Sequence, residues 1–474
     1  MFKLKIFFIV LLGLIIQDLA QAAPAADLVD LSAVPGLDKF SKNYTSKVFS
    51  GYLYINENKS HHYLFVESQN NPATDPLVIW LNGGPGCSSI LGFLYEHGPF
   101  VYEDGSTELI LNEYAWNKRA NVLYMESPAC VGLSYCSDRN MPFDDESTAA
   151  DNLAAFLSWT VKFPEHALHP VFIAGESYAG VYVPYLAYYM DQHNEKAEKN
   201  DYKINLTGFA VGNPVTLLQY DDFSDLAFWS SHAALSPAQM QDIKAHCSGN
   251  SFDENYCTNL LNNLNTVLED VNIYDFYRYC FPNSTSSGSQ YFQRFKGLYK
   301  KHYGYYAGYE PDPERPPCID DVGAFLFLNN QTVRRGLHIW DNASVWENHT
   351  WYMCADINYT PGPNASYFIY PHMIQKGYRI LVFSGDSDGS VPTIGTIQWI
   401  EKLKNDLNMK VIKPHSPWTL PGRKSGESQV VGYYRKYDGL EFATVAGVGH
   451  MAPQWNKPAS FKMFYSFLNG TDLN

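Results

Sequence analysis

The sequence is poor in positive charge and has no basic stripe. Its 474 residues contain 34 Lys and Arg against 49 Asp and Glu, which gives a formal net charge of -15. A nucleic-acid backbone is bound through clustered basic residues, so we expect no nucleic-acid partner. Hydrophobic residues make up 46% of the chain and charged residues only 18%, which excludes extensive disorder and leaves ample material for a core.

The chain also lacks a long apolar run. The run from Ile6 to Ile16 falls short of the roughly 20 residues that a membrane span requires, so we expect no stable membrane anchor. This run follows Lys3 and Lys5 and precedes the small-residue pattern that ends at Ala22. The arrangement predicts a signal peptide over residues 1–22, and therefore a secreted or a lysosomal or vacuolar protein.

No two of the eight cysteines form a C-x-x-C pair, the spacing typical of zinc and redox sites. We therefore expect no metal site and no cofactor, and we interpret the cysteines of an exported chain as disulfide partners. Export also makes Asn-x-Ser/Thr sequons candidates for glycosylation. The ten sequon asparagines are Asn43, Asn58, Asn205, Asn283, Asn330, Asn342, Asn348, Asn358, Asn364 and Asn469.

The hydrophobic pattern predicts an α/β fold with a mostly parallel sheet. Short apolar runs alternate with helix-like stretches through residue 214 and again from about residue 322. In open α/β sheets, sites are built from the loops at the carboxyl ends of the strands. The clearest strand candidates are Pro76 to Leu81, Asn121 to Met125, Val171 to Ala174, Asn205 to Val211, Arg379 to Ser384 and Glu441 to Ala446.

The alternation breaks between residues 215 and 321. This stretch holds helical polar and aromatic segments, a Ser- and Gly-rich run at 283–289 and four of the eight cysteines. Disulfides suit a region with too little core to hold itself together. We interpret it as a mainly helical cap lobe inserted between two halves of one core, residues 23–214 and 322–474.

The segment G-E-S-Y-A-G at residues 175–180 is interpreted as the G-x-S-x-G motif of a nucleophile elbow. The strand candidate PVFIA precedes it, and the helix-compatible run YAGVYVPYLAYYM follows the serine. Such a turn presents a serine hydroxyl above the sheet, so Ser177 is the candidate nucleophile. Because short motifs also arise by chance, the interpretation depends on the flanking strand and helix.

A serine nucleophile needs a histidine base and an acid, which follow in the order Ser, Asp, His in the chain of an α/β-hydrolase. The strand RILVFS leads into GDSDGSVP, with Asp386 and Asp388, and the strand EFATVAG leads into VGHMAP, with His450. Both segments place these side chains at strand ends. The residues alone do not choose between the two aspartates.

The segment WLNGGPGCSS follows the strand candidate PLVIWL and offers an oxyanion hole. A tetrahedral intermediate requires backbone N–H donors directed at its developing charge. We expect these donors at Gly84, in the Gly83-Gly84 turn, and at Tyr178, the residue after the candidate nucleophile. An ordinary tight turn would also be compatible with G-G-P-G.

Six segments, in order, resemble the landmark motifs of the serine carboxypeptidase family. They are WLNGGPGCSS, FLYEHGP, SPACVGLSY, FIAGESYAGVYVP, SGDSDGSVP and GVGHMAP, and the resemblance extends from about Pro35 to Pro458. It implies an α/β-hydrolase fold with a cap after the sixth core strand, and an enzyme that releases C-terminal amino acids from peptides. It further implies that Asp388 is the triad acid and that Asp386 is structural.

The same resemblance implies a site for the terminal carboxylate of the peptide. Asn82 and Gly83 would hold this carboxylate, with Glu176 and Glu96 as their partners. Like charges close together raise one pKa of such a pair, so Glu176 would carry a proton and donate a hydrogen bond to the substrate. Acidic pH is therefore expected to favour peptide binding.

The resemblance also implies three disulfides, which join Cys87 to Cys354, Cys247 to Cys257, and Cys280 to Cys318. Cys130 and Cys136 depart from the family pattern, which has Gly and Ser at these positions. They either pair with each other or remain buried thiols.

Two alternatives to peptide hydrolysis stay open. Some plant relatives keep the triad but pass the acyl group to an alcohol, and a lysosomal relative protects partner glycosidases. The expected partners are peptides with a free C-terminal carboxylate and, in a homodimer, a second copy of the chain.

Overall fold

A computed structural model describes residues 25–247, 271–281, 318–339, 349–422 and 426–474, together with positions 256, 259, 268 and 424. The predicted signal peptide, Cys257 and the sequons at Asn283, Asn342 and Asn348 lie outside these residues. None of the helices in the described ranges is long and apolar enough to cross a membrane.

The strands follow one another along the whole described chain. They are β1 (Val48–Asn56), β2 (Lys59–Val66), β3 (Leu77–Leu81), β4 (Phe100–Val101), β5 (Ile110–Leu111), β6 (Asn121–Met125), β7 (Tyr135–Cys136), β8 (Phe143–Asp144), β9 (Val171–Glu176), β10 (Leu206–Gly212), β11 (Tyr359–Thr360), β12 (Arg379–Gly385), β13 (Val411–Pro421), β14 (Ser428–Tyr437) and β15 (Glu441–Val445).

The α-helices lie between and after these strands. They are α1 (Asp145–Lys162), α2 (Ala179–Lys196), α3 (Leu218–Ser231), α4 (Pro237–His246), α5 (Val322–Leu328), α6 (Gln331–Gly336), α7 (Tyr370–Gln375), α8 (Thr393–Leu407), α9 (Ala452–Trp455) and α10 (Lys457–Asn469). A single π-helical turn at Gly92–Glu96 follows β3.

One large sheet organises the molecule. Its strand order is β1-β2-β6-β3-β9-β10-β12-β15-β14-β13, and β7 pairs with β2 as an eleventh strand. The strands from β6 to β15 in this order run parallel, whereas both ends of the sheet are antiparallel. β10 and β12 are neighbours, although the predicted cap lobe falls in the chain between them.

Alternate residues of the central strands pack against two different layers of helices. In β3, Val78 and Trp80 belong to the core on one face, and Leu77, Ile79 and Leu81 belong to the core on the other. Helix α10 contributes to the first core, and α1, α2 and α8 contribute to the second. A parallel sheet covered on both faces requires such continuously apolar strands.

The six predicted strands are confirmed, with boundaries that differ by at most two residues. Strand β13 is not among the predictions. It contains Pro414, Pro417 and Pro421, which lack the N–H that a central strand must donate. The structure accommodates them because β13 is the last strand of the sheet.

Candidate active site

Ser177 lies on a strained turn between β9 and α2. Its φ is 64°, in the left-handed region that residues with a side chain rarely adopt. Three backbone hydrogen bonds hold the turn: Ser177 N donates to Gly212 O at 2.9 Å, and Ser177 O accepts from Gly180 N at 2.9 Å and from Val215 N at 3.0 Å. This is the backbone geometry of a nucleophile elbow at the carboxyl end of a strand.

Two glycines of the elbow lie so close to neighbouring segments that a side chain would clash there. A Cβ on Gly175 would lie 2.4 Å from the carbonyl oxygen of Leu81, and one on Gly180 would lie 2.5 Å from Cβ of Pro214. The interpretation as G-x-S-x-G was wrong in one detail, because Ala179 occupies the last position of that motif and the glycine comes one residue later. The contact that excludes a side chain therefore falls at residue 180.

Asp388 and His450 form a buried pair. His450 Nδ1 lies 2.7 Å from Asp388 Oδ2, and the residues are only 3% and 0% exposed, respectively. The other carboxylate oxygen of Asp388 accepts hydrogen bonds from Ser390 N at 2.7 Å and from Val391 N at 3.2 Å. Because Nδ1 faces the carboxylate, Nε2 is the ring nitrogen left for a serine hydroxyl.

Asp386 has a different contact. Its Oδ1 accepts a hydrogen bond from Gly447 N at 2.7 Å, in the loop that leads to His450. Asp388 thus contacts His450 itself, whereas Asp386 holds the loop between β15 and α9 that carries His450, here called the histidine loop. Ser177 follows β9, Asp388 follows β12 and His450 follows β15, so all three lie at the carboxyl edge of the same parallel sheet.

The Gly83-Gly84 turn packs directly against the elbow. A Cβ on Gly83 would lie 2.4 Å from Tyr178 N and 2.8 Å from Cβ of Ser177. Gly84 has a φ of 116°, which also disfavours a side chain. Tyr178 is the N-cap of α2, where backbone N–H groups lack acceptors within the helix. The two expected oxyanion donors therefore lie in segments that touch each other.

Sequence reasoning missed the group that holds the Tyr178 side chain. Asp145, at the start of α1, accepts hydrogen bonds at Oδ1 from the hydroxyls of Tyr178 at 2.9 Å and of Tyr359 at 2.8 Å. Its Oδ2 accepts from Gly362 N at 2.6 Å. No local motif predicts the role of this carboxylate, because its partners are 33 to 217 residues away in the chain.

Asn82, Glu96 and Glu176 form one buried cluster. The Asn82 amide nitrogen donates to Glu96 Oε1 and to Glu176 Oε1, each at 3.1 Å. The orientation of the amide is set by Trp80 Nε1 and Gly92 N, which donate to Asn82 Oδ1 at 2.7 and 3.2 Å. The second carboxyl oxygen of each glutamate has no donor among the described residues other than the carboxyl group of the other glutamate.

Burial makes this cluster retain protons. Desolvation raises the pKa of Glu96 to about 7, although hydrogen bonds to Asn82 and Glu176 and the charge of Lys457 oppose the rise. Desolvation also raises the pKa of Glu176 well above its usual value, and the charge of Glu96 adds to the effect.

Across the described ranges, no group of three or more His, Cys, Asp or Glu could hold a metal ion.

Disulfides connect the candidate site to distant segments. The structure joins Cys87, just after the Gly83-Gly84 turn, to Cys354, and it joins Cys280 to Cys318. Cys130 and Cys136, left open by the sequence, are bonded to each other. Cys247 is in a disulfide, whereas its expected partner Cys257 lies outside the described residues.

The sequon asparagines at 43, 58, 205, 330, 358, 364 and 469 are exposed.

The fold and the cluster of groups at one sheet edge define a serine hydrolase of the α/β-hydrolase class. The chain belongs to the serine carboxypeptidase family, whose model matches residues 35–470. It is accordingly a serine-type carboxypeptidase acting on peptides.

Relatives match over nearly their full length. The chain is 34% identical to the mouse lysosomal protective protein, with 95% of both chains covered. It is 32% identical to serine carboxypeptidase 1 of barley, Hordeum vulgare, with 93% of both covered. The crystal structure of Kex1Δp, a prohormone-processing carboxypeptidase of Saccharomyces cerevisiae, superposes with a TM-score of 0.73 at 20% identity, covering 94% of this chain and 96% of that one. This last likeness shows the shared fold.

We predict that Glu176→Gln gains stability relative to the parent as pH rises from about 4.5 to about 7. The folded parent keeps its buried protons while the unfolded chain loses them, so rising pH destabilises the parent by up to about 1.4 kcal/mol per pH unit and proton. Glutamine has no such proton. Calorimetric melting across this pH range measures the difference, with Glu57→Gln in an exposed turn as control. A difference that does not change with pH would contradict the shared-proton cluster.

We also predict that Cys87→Ala with Cys354→Ala lowers the free energy of unfolding by several kcal/mol. The bridge spans 267 residues, and closing so long a loop in the unfolded chain stabilises by roughly 5 kcal/mol in the chain-entropy model. Urea denaturation measures the loss, and peptide mass spectrometry without reduction checks the bond in the parent. Two free thiols in the folded parent would refute the bridge.

Proposed function

We propose that peptide hydrolysis proceeds through an acyl-enzyme on Ser177. His450 takes the hydroxyl proton as Ser177 attacks the scissile carbonyl, and Asp388 orients the imidazole and stabilises its charged form. The N–H groups of Gly84 and Tyr178 hold the oxyanion of the tetrahedral intermediate. His450 then gives its proton to the departing amino group, and water releases the acyl group by the same steps in reverse. The observation that carries this proposal is the Asp388–His450 hydrogen bond at 2.7 Å, at the sheet edge where Ser177 lies.

The terminal carboxylate of the peptide is held by Asn82 and Gly83 and by the protonated pair of Glu176 and Glu96. An ionised pair would repel this carboxylate, whereas a protonated carboxyl donates a hydrogen bond to it. Support comes from the raised pKa values of both glutamates, which burial causes. This arrangement restricts cleavage to the last peptide bond, because only there does a carboxylate lie one residue beyond the scissile carbonyl.

Peptide hydrolysis is favoured over acyl transfer to an alcohol by the same cluster. Burying two carboxyl groups costs folding free energy, and in the protonated form they can donate hydrogen bonds to the carboxylate of a free C-terminus. An assay with an acyl glucose ester beside a blocked dipeptide separates the two activities. Faster transfer from the ester to an alcohol than hydrolysis of the dipeptide would favour the acyltransferase.

The proposed organisation is a cleaved signal peptide at 1–22, a core in two parts at 23–214 and 322–474, and a cap at 215–321. We propose entry into the secretory pathway, to the outside or to a lysosome or vacuole. Disulfides and exposed sequons support this route, because disulfides form in an oxidising compartment and sequons are glycosylated within the secretory pathway. Light scattering of the purified protein measures its molar mass in solution and so tests the proposed homodimer.

We predict that Ser177→Ala removes nearly all peptidase activity while secretion and the melting temperature stay close to those of the parent, because the nucleophile is lost from a turn whose backbone is unchanged. Asp388→Asn should lower kcat by roughly 10⁴, since the imidazole loses its orientation. Asp386→Asn is the matched control and should retain far more activity. Substantial turnover by the Ser177 variant, or a larger loss at Asp386 than at Asp388, would refute the triad.

We predict that the pH profiles of a free-acid peptide and its amide diverge. The value of kcat/KM for the free acid should fall as pH rises through about 7, the pKa of Glu96, because Glu96 then ionises and its charge repels the substrate carboxylate. The amide has no carboxylate, and His450 must be neutral, so its cleavage should hold steady or improve. Glu176→Gln should lose part of the acid dependence. Identical profiles in the parent would remove the basis for this mechanism.

A further inference from the structure

A short segment within the predicted cap lobe contacts both loops that carry the proposed acid and base. Residues 273–276 run alongside the loop after β12 and the loop after β15. Three backbone hydrogen bonds join them: Gly389 N to Ile273 O at 2.8 Å, His450 N to Tyr274 O at 2.6 Å, and Phe276 N to Ser387 O at 3.0 Å. The backbone of His450 itself therefore depends on this segment for its hydrogen bond.

The packing between these segments leaves no room for adjustment. A Cβ on Gly449, the residue before His450, would lie 1.9 Å from Tyr274 O and 2.7 Å from Cα of Asp275. The rings of Tyr274 and His450 meet edge to face, with centroids 5.2 Å apart. Backbone lies against backbone here, so a shift of the segment moves the histidine loop with it.

Asp275 is the charged group at the centre of this contact. It is 1% exposed, and its Oδ1 accepts a hydrogen bond from Ser387 Oγ at 2.7 Å. Its Oδ2 accepts from Arg278 Nε at 2.8 Å. Arg278 is itself held by Asp104, 3.4 Å away, and lies over the ring of Trp455 at 4.8 Å. The carboxylate is thus fixed from both sides.

Three consecutive residues contact the histidine loop and the segment around Asp275 at this point. Asp386 holds Gly447, Ser387 holds Asp275, and Asp388 holds His450. A buried carboxylate costs free energy, and an apolar side chain of similar size would cost less. The proposed chemistry makes no use of Asp275, yet its short hydrogen bond ends on the residue next to the triad acid.

We propose that Asp275 is a positioning residue, which holds Asp388 in register with His450 through Ser387. The inference rests on the triad proposed above. By this inference, residues 273–276 of the predicted cap lobe help to position the triad.

The test compares Asp275→Ala, Asp275→Asn and Ser387→Ala in the full-length protein. A displacement of the acid misaligns the imidazole, and errors near 1 Å cost up to about 100-fold. We expect kcat for a blocked dipeptide to fall about 10-fold or more in the two alanine variants, with KM within about 2-fold of the parent. Asparagine keeps an acceptor for the Ser387 hydroxyl and should restore part of kcat.

Two further readouts separate positioning from a loss of stability. The Asp275→Ala and Ser387→Ala double variant should be no slower than the slower single variant, because both remove the same hydrogen bond. The rate at which a fluorophosphonate labels Ser177 should fall in parallel, and the acid limb of its pH profile should move to lower pH, because a displaced Asp388 stabilises the imidazolium less. Labelling needs no peptide substrate.

Asp151→Ala is the matched control. Asp151 is a buried carboxylate on α1 whose Oδ2 lies 2.7 Å from Lys59 Nζ, at the start of β2. This variant should lose stability but keep the kcat of the parent. An equal loss of kcat at Asp151, or parent kcat and labelling in both Asp275→Ala and Ser387→Ala, would overturn the inference. If Asp275→Ala fails to fold, Ser387→Ala alone decides. A parent that labels at Ser177 but cleaves no peptide would contradict the proposed function and leave the positioning test intact.

Discussion

The hydrogen bond between Asp388 and His450 is the contact on which the rest of the candidate site depends. It joins residues 62 positions apart, on loops that follow two adjacent parallel strands. A bond of 2.7 Å tolerates little movement, so both loops are held from several directions. Asp386 holds the histidine loop through Gly447, and the segment around Asp275 forms hydrogen bonds with both loops.

The two kinds of buried carboxyl group at this edge differ in how they are satisfied. Asp388 receives hydrogen bonds on both oxygens, from two backbone N–H groups and from the imidazole. Glu96 and Glu176 share one amide donor, and among the described residues their second oxygens have only each other's carboxyl group as a partner. Burial disfavours the ionised form, which raises the pKa of both glutamates. A carboxylate that contacts the imidazole of His450 and a pair of carboxyl groups that retain protons therefore lie at the same sheet edge.

The Gly83-Gly84 turn is constrained as closely as the loops that carry Asp388 and His450. Gly83 touches the elbow, and Cys87 ties the same turn to Cys354. Asp145 fixes the Tyr178 side chain and links it to Tyr359, a few residues beyond that disulfide. The segment that contains Cys354 and Tyr359 is thus joined to the segment of the Gly83-Gly84 turn by a covalent bond and to the elbow through the Asp145 carboxylate. Both connections limit the relative movement of these segments.

The sequence by itself determined the central strands, the elbow at Ser177 and the candidate base at His450, because apolar runs and Gly-rich turns are local signals. It left Asp386 and Asp388 equivalent, since both follow the same strand, and only the tertiary structure brings one to His450 and the other to Gly447. It gave no sign of Asp145 or Asp275, whose partners lie up to 217 and 112 residues away. It also left Cys130 and Cys136 open, which the structure pairs. Side-chain roles set by contacts between distant loops have no local pattern, because only the closing of the sheet brings those loops together.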